Sequence, residues 1–256
     1  MKRSVILLLA TLLLAGGASS WYLSRPVMQG RLEPTLFDSL ALAPVEQALT
    51  LARTRTGHVL LVTGVSAAGV RGVDISTLSG KSFDDAIAAF HQLGEEQLGT
   101  LARRPSDERW AWDQLGLPVA AGAAHIAAGT NYQEHAEEVG MEEGPFLFPK
   151  LSVPTPWNST VAAGTRLDFE VELCAVPLTD HVANQATRLA YALCGDYTDR
   201  WQLVREIDLD GKPGVTGFPL SKGGSTRFPL GALLLIPRQE DFYRQIELRL
   251  YLNQEL

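Results

Sequence analysis

His135 and Glu138 stand three residues apart in "NYQEHAEEVG", and further on "RLDFEVELCAVP" sets Asp168, Glu170 and Glu172 two apart. If residues 132 to 139 wind as a helix, that first spacing puts imidazole and carboxylate on one face. The carboxylate can then orient the ring and raise its basicity, and such a dyad can take a proton from water. An isolated H-x-x-E on an acidic helix is more often plain surface. On a strand, side chains two apart share a face at about 7 Å, so the three acids form a row and Phe169, Val171 and Leu173 face the other way. Repulsion between two such charges is about 0.6 kcal/mol in water and about 2.4 kcal/mol at an effective dielectric near 20. The acidic face continues as Cys174 and Val176, so the row runs toward the interior, where a cation would relieve it. A solvated strand face is the ordinary alternative for D-x-E-x-E.

A further oxygen donor would strengthen a cation site, and Asp196 is the best placed, at the end of the apolar run "AYALCG". Its alternative role is to cap the next helix. Ligands that are all carboxylates indicate a hard ion, Mg²⁺, Mn²⁺ or Ca²⁺, and zinc is less suited because no His or Cys set has its spacing. His58, His91, His125 and His181 show no ligand spacing and are read as structural or surface residues.

These residues need a folded frame to meet. The chain has 256 residues, 46% hydrophobic and 20% charged, which is a globular composition with enough apolar side chains for a core. Lys plus Arg number 22 against 29 Asp plus Glu, a net charge of −7, with no basic run interleaved with aromatics. A nucleic-acid backbone is therefore not an expected partner. Lys2 and Arg3 precede the uncharged "SVILLLATLLLAGGASSWYL", which suits a membrane anchor with interfacial Trp21 and Tyr22, or a secretory signal cleaved near "AGGASS". Length does not separate the two. Both send the remainder out of the cytoplasm, as a membrane-anchored or a periplasmic or secreted protein.

The expected organisation is residues 1–26 as signal or anchor, 27–118 as a small α+β domain, and 119–256 as a strand-rich domain. "HVLLVTGV" and "AAGVRGVDI" read as strands, and "SFDDAIAAFHQLGEEQLGTLARR" as a helix behind a Ser82 cap. Later, "AHIAAG", "DFEVELCAV", "RLAYALCG", "ALLLIP" and "IELRLYL" read as strands and "TDRWQLVREI" as a helix. Cys174 and Cys194 are read as small core residues in preference to a bridge. A strand that reaches a polar "NQ" turn and stops would leave an open edge, so more chain is expected to follow "IELRLYLNQEL".

"NYQEHAEEVG", "PFLFPKLS", "DFEVELCAV", "GDYTDR" and "FPLSKGGSTRFPLGALLLIP" together resemble the fumarylacetoacetate hydrolase family in order and approximate spacing, over roughly residues 119 to 256. The resemblance implies an α+β fold in which a strand-rich mixed β-sandwich or roll follows a small α+β domain, usually as a homodimer. It assigns Glu170, Glu172 and Asp196 as ligands of Mg²⁺ or Mn²⁺, with Ca²⁺ as a further candidate. His135 and Glu138 correspond to the water-activating dyad and Lys222 to the cation that holds a developing enolate or oxyanion. Arg200, Tyr132 and Lys150 fall to substrate binding. The implied activity is metal-dependent hydrolysis of a C–C bond in a β-diketo acid of acylpyruvate or fumarylpyruvate type. Decarboxylation of an oxaloacetate-type acid, isomerisation, hydration, or a non-catalytic membrane-tethered binding protein are the alternatives. Two positions depart from the pattern: Gly195 replaces the Asn often found before the metal-binding Asp, and Leu203 stands where a Gln is expected. Relative to the family pattern the chain reads as truncated at its C-terminus.

Overall fold

The computed structural model describes residues 41–120, 125–131, 145–180, 182, 186–206 and 216–251. The described residues 41–250 belong to one compact unit. In chain order this unit runs β1 (Ala48–Arg53), β2 (Val59–Ser66), β3 (Gly69–Asp74), α1 (Ile75–Ser79), α2 (Ala86–Leu93), α3 (Glu95–Ala102) and β4 (Glu108–Ala111). It continues β5 (His125–Gly129), β6 (Phe146–Lys150), β7 (Thr155–Pro156), β8 (Leu167–Asp168), β9 (Val171–Pro177) and β10 (Leu189–Gly195). It closes with β11 (Thr198–Asp199), α4 (Arg200–Glu206), α5 (Phe218–Ser221), β12 (Pro229–Leu230) and β13 (Leu233–Pro237). The fold is strand-rich α+β.

Among the described residues the main sheet has nine strands in the order β4-β3-β2-β1-β13-β10-β12-β7, with β9 paired to β10. Strands from both sides of the boundary expected at residue 118 share this sheet, because β1 pairs antiparallel with β13 from Ala48↔Pro237 to Ala52↔Leu233. Burial of both faces explains why β1 and β2 are apolar at successive positions over most of their length. Leu49, Leu51, Val59 and Leu61 pack with Ala86, Phe90, Leu98 and Leu101 of the helical side, while Ala52, Leu60 and Val62 join Val70, Leu115 and Ala232 on the other.

The segment expected as one helix behind Ser82 is two. Phe83 turns into the core ahead of it, and Asp85 provides the cap, its Oδ1 accepting from the Ala88 amide at 2.8 Å. Gly94, at φ 78°, then ends α2 and opens α3, a backbone conformation that residues with a Cβ adopt only at a cost. The strand expected over 246–252 is also absent from 246 to 250: exposure alternates from 246 to 249, yet these residues pair with no strand among the described residues. Side-chain alternation alone does not make a strand, because a ladder needs a neighbouring edge.

Cys174 and Cys194 form a disulfide, with Cα atoms 5.9 Å apart, which corrects their reading as unpaired core residues. Cys174 lies opposite Ala192 and Cys194 opposite Glu172, so the two are diagonal neighbours on one face of the β9–β10 ladder. Sequence spacing carried no sign of this, because the pairing depends on the β9–β10 register. No helix among the described residues is long and apolar enough to cross a membrane; the segment expected as signal or anchor lies outside the described residues.

Asp74 offers a local test of the frame. It caps α1, accepting from the Thr77 amide at 2.9 Å, the Thr77 hydroxyl at 2.8 Å and the His58 ring Nδ1 at 2.7 Å. Burial pushes its carboxyl up, but the hydrogen bonds from Thr77 and His58 outweigh this and hold it below the ordinary Asp value. A depressed folded value means the stabilisation is complete above the unfolded pKa and disappears as pH falls through the folded one. Asp74→Ala is expected to cost about 1 kcal/mol at neutral pH. Asp74→Asn retains a capping oxygen and should flatten the acid limb of the urea midpoint against pH; an unchanged acid limb would contradict the assignment.

Candidate functional site

Six of the residues singled out in the sequence meet at one place: Lys150, Asp168, Glu170, Asp196, Arg200 and Lys222. Glu170 immediately precedes β9 and Asp196 immediately follows β10, and the Asp196 amide donates to the Glu170 carbonyl at 3.0 Å. The antiparallel ladder therefore ends with both carboxylates side by side. Lys222, just past α5, bridges them: its Nζ lies 2.7 Å from Glu170 Oε2 and 2.5 Å from Asp196 Oδ2. Lys150, the last residue of β6, donates to Asp196 Oδ1 and to the Arg227 carbonyl, the latter at 3.2 Å. The side chains of Lys150 and Lys222 are only 3% and 5% exposed.

Arg200 completes the cluster from the first residue of α4, donating from Nε to Asp168 Oδ2 and from Nη2 to Glu170 Oε1, both at 2.7 Å. Sequence reading assigned it to substrate, whereas here its guanidinium holds two acids of the row. All four carboxylate oxygens of Glu170 and Asp196 thus have a basic partner on this chain. Paired and hydrogen-bonded, such buried charges are tolerated; separated, they are costly.

The sequence folds this way for local reasons. Asp199, rather than Asp196, caps α4, its Oδ1 accepting from the Trp201 and Gln202 amides at 3.1 Å. That leaves Asp196 to the lysines. Burial raises the Asp199 carboxyl, but amide hydrogen bonds from Gln202 and Thr165 and the nearby Arg227 charge hold it below the usual carboxylate range. The Lys222 backbone is pinned by the Ser152 hydroxyl, which sits 2.9 Å from both the Lys222 and Gly224 carbonyls. Gly223 is required by packing, since a Cβ there would meet the Pro219 carbonyl oxygen at 2.1 Å. Phe148 and Phe228 lie beneath the two ammonium groups, with Lys222 Nζ 5.9 Å and Lys150 Nζ 5.6 Å from the respective ring centroids.

His125 is a site neighbour that sequence reading left as structural or surface. It faces Lys150 across the β5–β6 pair and stacks edgewise on Phe228 at 5.0 Å. Burial, with the Lys150 charge, holds its pKa below the ordinary imidazole value. Burial likewise lowers Lys150, and Asp196 opposes but does not cancel that. No spacing rule links His125 to the carboxylates; only the register of β5 against β6 does.

Glu172 lies one rung inward from Glu170, opposite Cys194, and is half-buried. His135, Glu138 and Tyr132 lie outside the described residues. The carboxylate chemistry suits a hard divalent ion, but the arrangement does not fit one. Among the described residues no three His, Cys, Asp or Glu side chains are grouped to hold a metal. The two acids that do meet already share an ammonium group.

The fold and site define a strand-rich α+β protein with a partly buried cluster of carboxylates, two buried lysines and Arg200 at the mouth of an antiparallel ladder. No family model matches the chain. The uncharacterized protein PH0643 of Pyrococcus horikoshii is 29% identical over 127 residues, 45% of this chain and 53% of that protein. The chain thus spans about half the length of this curated relative. Among solved structures, the crystal structure of fumarylpyruvate hydrolase from Pseudomonas aeruginosa in complex with Mn²⁺ and pyruvate matches at 24% identity and a TM-score of 0.35. That match covers 47% of this chain and 55% of that one.

Proposed function

We propose that this chain is a hydrolase of the fumarylacetoacetate hydrolase type, cleaving a C–C bond of a β-diketo acid such as an acylpyruvate or fumarylpyruvate. The observation that carries the reading is the convergence of Lys150, Glu170, Asp196 and Lys222, picked out in the sequence as site residues, into one ion cluster in which both lysines are buried and both acids half-buried. A fold gains little stability from burying such a cluster when apolar side chains could fill the same volume, so a role in chemistry is the better account.

In this reading His135, steered by Glu138, takes a proton from water, and the water oxygen attacks the carbonyl carbon distal to the acid end. The C–C bond beside that carbonyl breaks, and its electron pair becomes the enolate of the departing keto acid. Fixed ammonium charge from Lys222 stabilises the enolate before the imidazolium returns the proton to carbon. Lys150 and Tyr132 hold the substrate. Mg²⁺ or Mn²⁺ is the cofactor the resemblance attaches to Glu170, Glu172 and Asp196, and no step above depends on it.

The protein works outside the cytoplasm, as a homodimer. The uncharged leader and the Cys174–Cys194 bridge both support export, since such bridges persist in oxidising compartments.

The test is a turnover screen of the purified protein with acylpyruvates, fumarylpyruvate and oxaloacetate, each with Mg²⁺ and with Mn²⁺, following loss of diketo absorbance and release of pyruvate. Cleavage to two acids, abolished by His135→Ala, is the expected result. Carbon dioxide release from oxaloacetate alone would make the chain a decarboxylase, and no turnover of any keto acid would end the catalytic reading.

A further inference from the structure

We infer that one face of β2, β3 and β4 carries a binding groove for a short dicarboxylic acid, its two carboxylates held by Arg71 and Arg109. The groove measures about 410 Å³ and lies at the β4 edge of the main sheet. That volume is within the range of small-molecule sites.

Strand register places the two arginines. Arg71 stands directly opposite Gly64 of β2 on one side and Arg109 of β4 on the other, and residues directly opposite one another share a face. Two positions along, Ser66, Gly69 and Ala111 form a second row on that same face. The other face carries the row Val65, Val70 and Trp110, which packs with Leu60 and Leu115. One side of this sheet end is therefore anchored in the core. The open side is lined by glycine, serine and alanine, which leave a hollow where larger surface side chains would ordinarily stand. Packing fixes the hollow at Gly69, because a Cβ there would meet the Trp110 carbonyl oxygen at 2.0 Å.

Charge selects the ligand. Like charges directly opposite on a ladder are unfavourable, and among the described residues neither guanidinium has an acidic partner. Arg71 reaches across to β2, where its Nη2 and Nε lie 3.2 and 3.3 Å from the place a Gly64 Cβ would take. Glycine at 64 thus gives this guanidinium its seat. Arg109 is rooted on β4, so the positive charge spreads over two strand spacings, roughly 10 Å. That is wide for a single phosphate or carboxylate group. It suits two carboxylates joined by a short chain, each paired with one guanidinium, with the methylenes over Gly69 and Ala111.

The experiment is a calorimetric titration of the full chain with succinate at low ionic strength, with acetate and inorganic phosphate as comparison ligands. Wild type, Arg71→Gln, Arg109→Gln and Ala111→Leu are compared; all three positions are exposed, and a melt without ligand checks that each variant keeps its fold. Succinate should bind wild type with a Kd of about 1 mM or below, and at least about tenfold more tightly than acetate or phosphate. Each arginine variant should lose at least about tenfold in affinity. Ala111→Leu keeps both charges and fills the hollow, so it should lose as much, whereas diffuse electrostatic attraction would leave it unchanged. Succinate should also raise the Tm of wild type more than that of any variant, since a ligand of the native state stabilises it. No succinate binding by wild type, or undiminished binding in both arginine variants or in Ala111→Leu, overturns the groove. Phosphate or acetate bound as tightly as succinate overturns the dicarboxylate assignment.

Discussion

Replacing Asp196 with Asn should lower the free energy of unfolding by about 3 to 5 kcal/mol, because it strands buried ammonium charge without its counter-ion. Asp196 is the partner of Lys150 and one of the two partners of Lys222, and neither lysine can reach water without repacking. Lys222 retains Glu170, whereas Lys150 keeps only the Arg227 carbonyl and the face of Phe228. Urea unfolding at neutral pH measures the loss. Removing the lysine as well separates charge from shape: Lys150→Met combined with Asp196→Leu should recover at least about half of it, because an apolar pair of similar volume carries no desolvation penalty. A single Asp196→Asn variant as stable as wild type would mean that the cluster is hydrated rather than buried. If the proposed activity is correct, the same variant should lose turnover altogether.

The second large effect comes from the disulfide. Reducing Cys174–Cys194, or replacing both with Ser, should cost about 3 kcal/mol, the loop-closure stabilisation expected for a bridge that closes a short loop. The two cysteines are 20 residues apart in sequence. The ladder that carries the site is itself long, running from Leu189↔Pro177 to Gly195↔Val171, so β9 and β10 should remain paired without the bridge. The expected signature is a lower urea midpoint for the double Ser variant, matched by wild type in reductant, with the variant itself insensitive to reductant. Titration of two free thiols in the unreduced native protein would refute the pairing.

These effects show which parts of the molecule could be read in advance. The run "RLAYALCG" was legible as a buried strand because β10 is apolar on both sides, and "DFEVELCAV" because its alternation survives in β9. The inward course of the acidic face was legible too: Cys174 and Val176 pack against the core while Glu170 sits at its edge. The helix break at Gly94, the Asp85 cap and the failure of 246–250 to pair were not. The break depends on the Gly94 backbone angle and the missing pairing on a neighbouring edge, neither of which composition specifies, while the Asp85 cap is a local contact with the Ala88 amide, for which Ser82 was an equally suitable residue type.

The candidate site divides along the same line. Residue type and spacing alone pointed to Glu170, Glu172 and Asp196 as acids wanting a cation, and Lys150 and Lys222 entered through resemblance. Sequence could not say which cation the acids would find. In the described structure β6, the β9–β10 ladder and the segment after α5 converge, placing two lysines and Arg200 against Glu170 and Asp196. Local propensity and alternation act over a few residues and are written in the chain. Charge pairing and disulfide formation act between residues tens of positions apart, and only the closed sheet decides which of them meet.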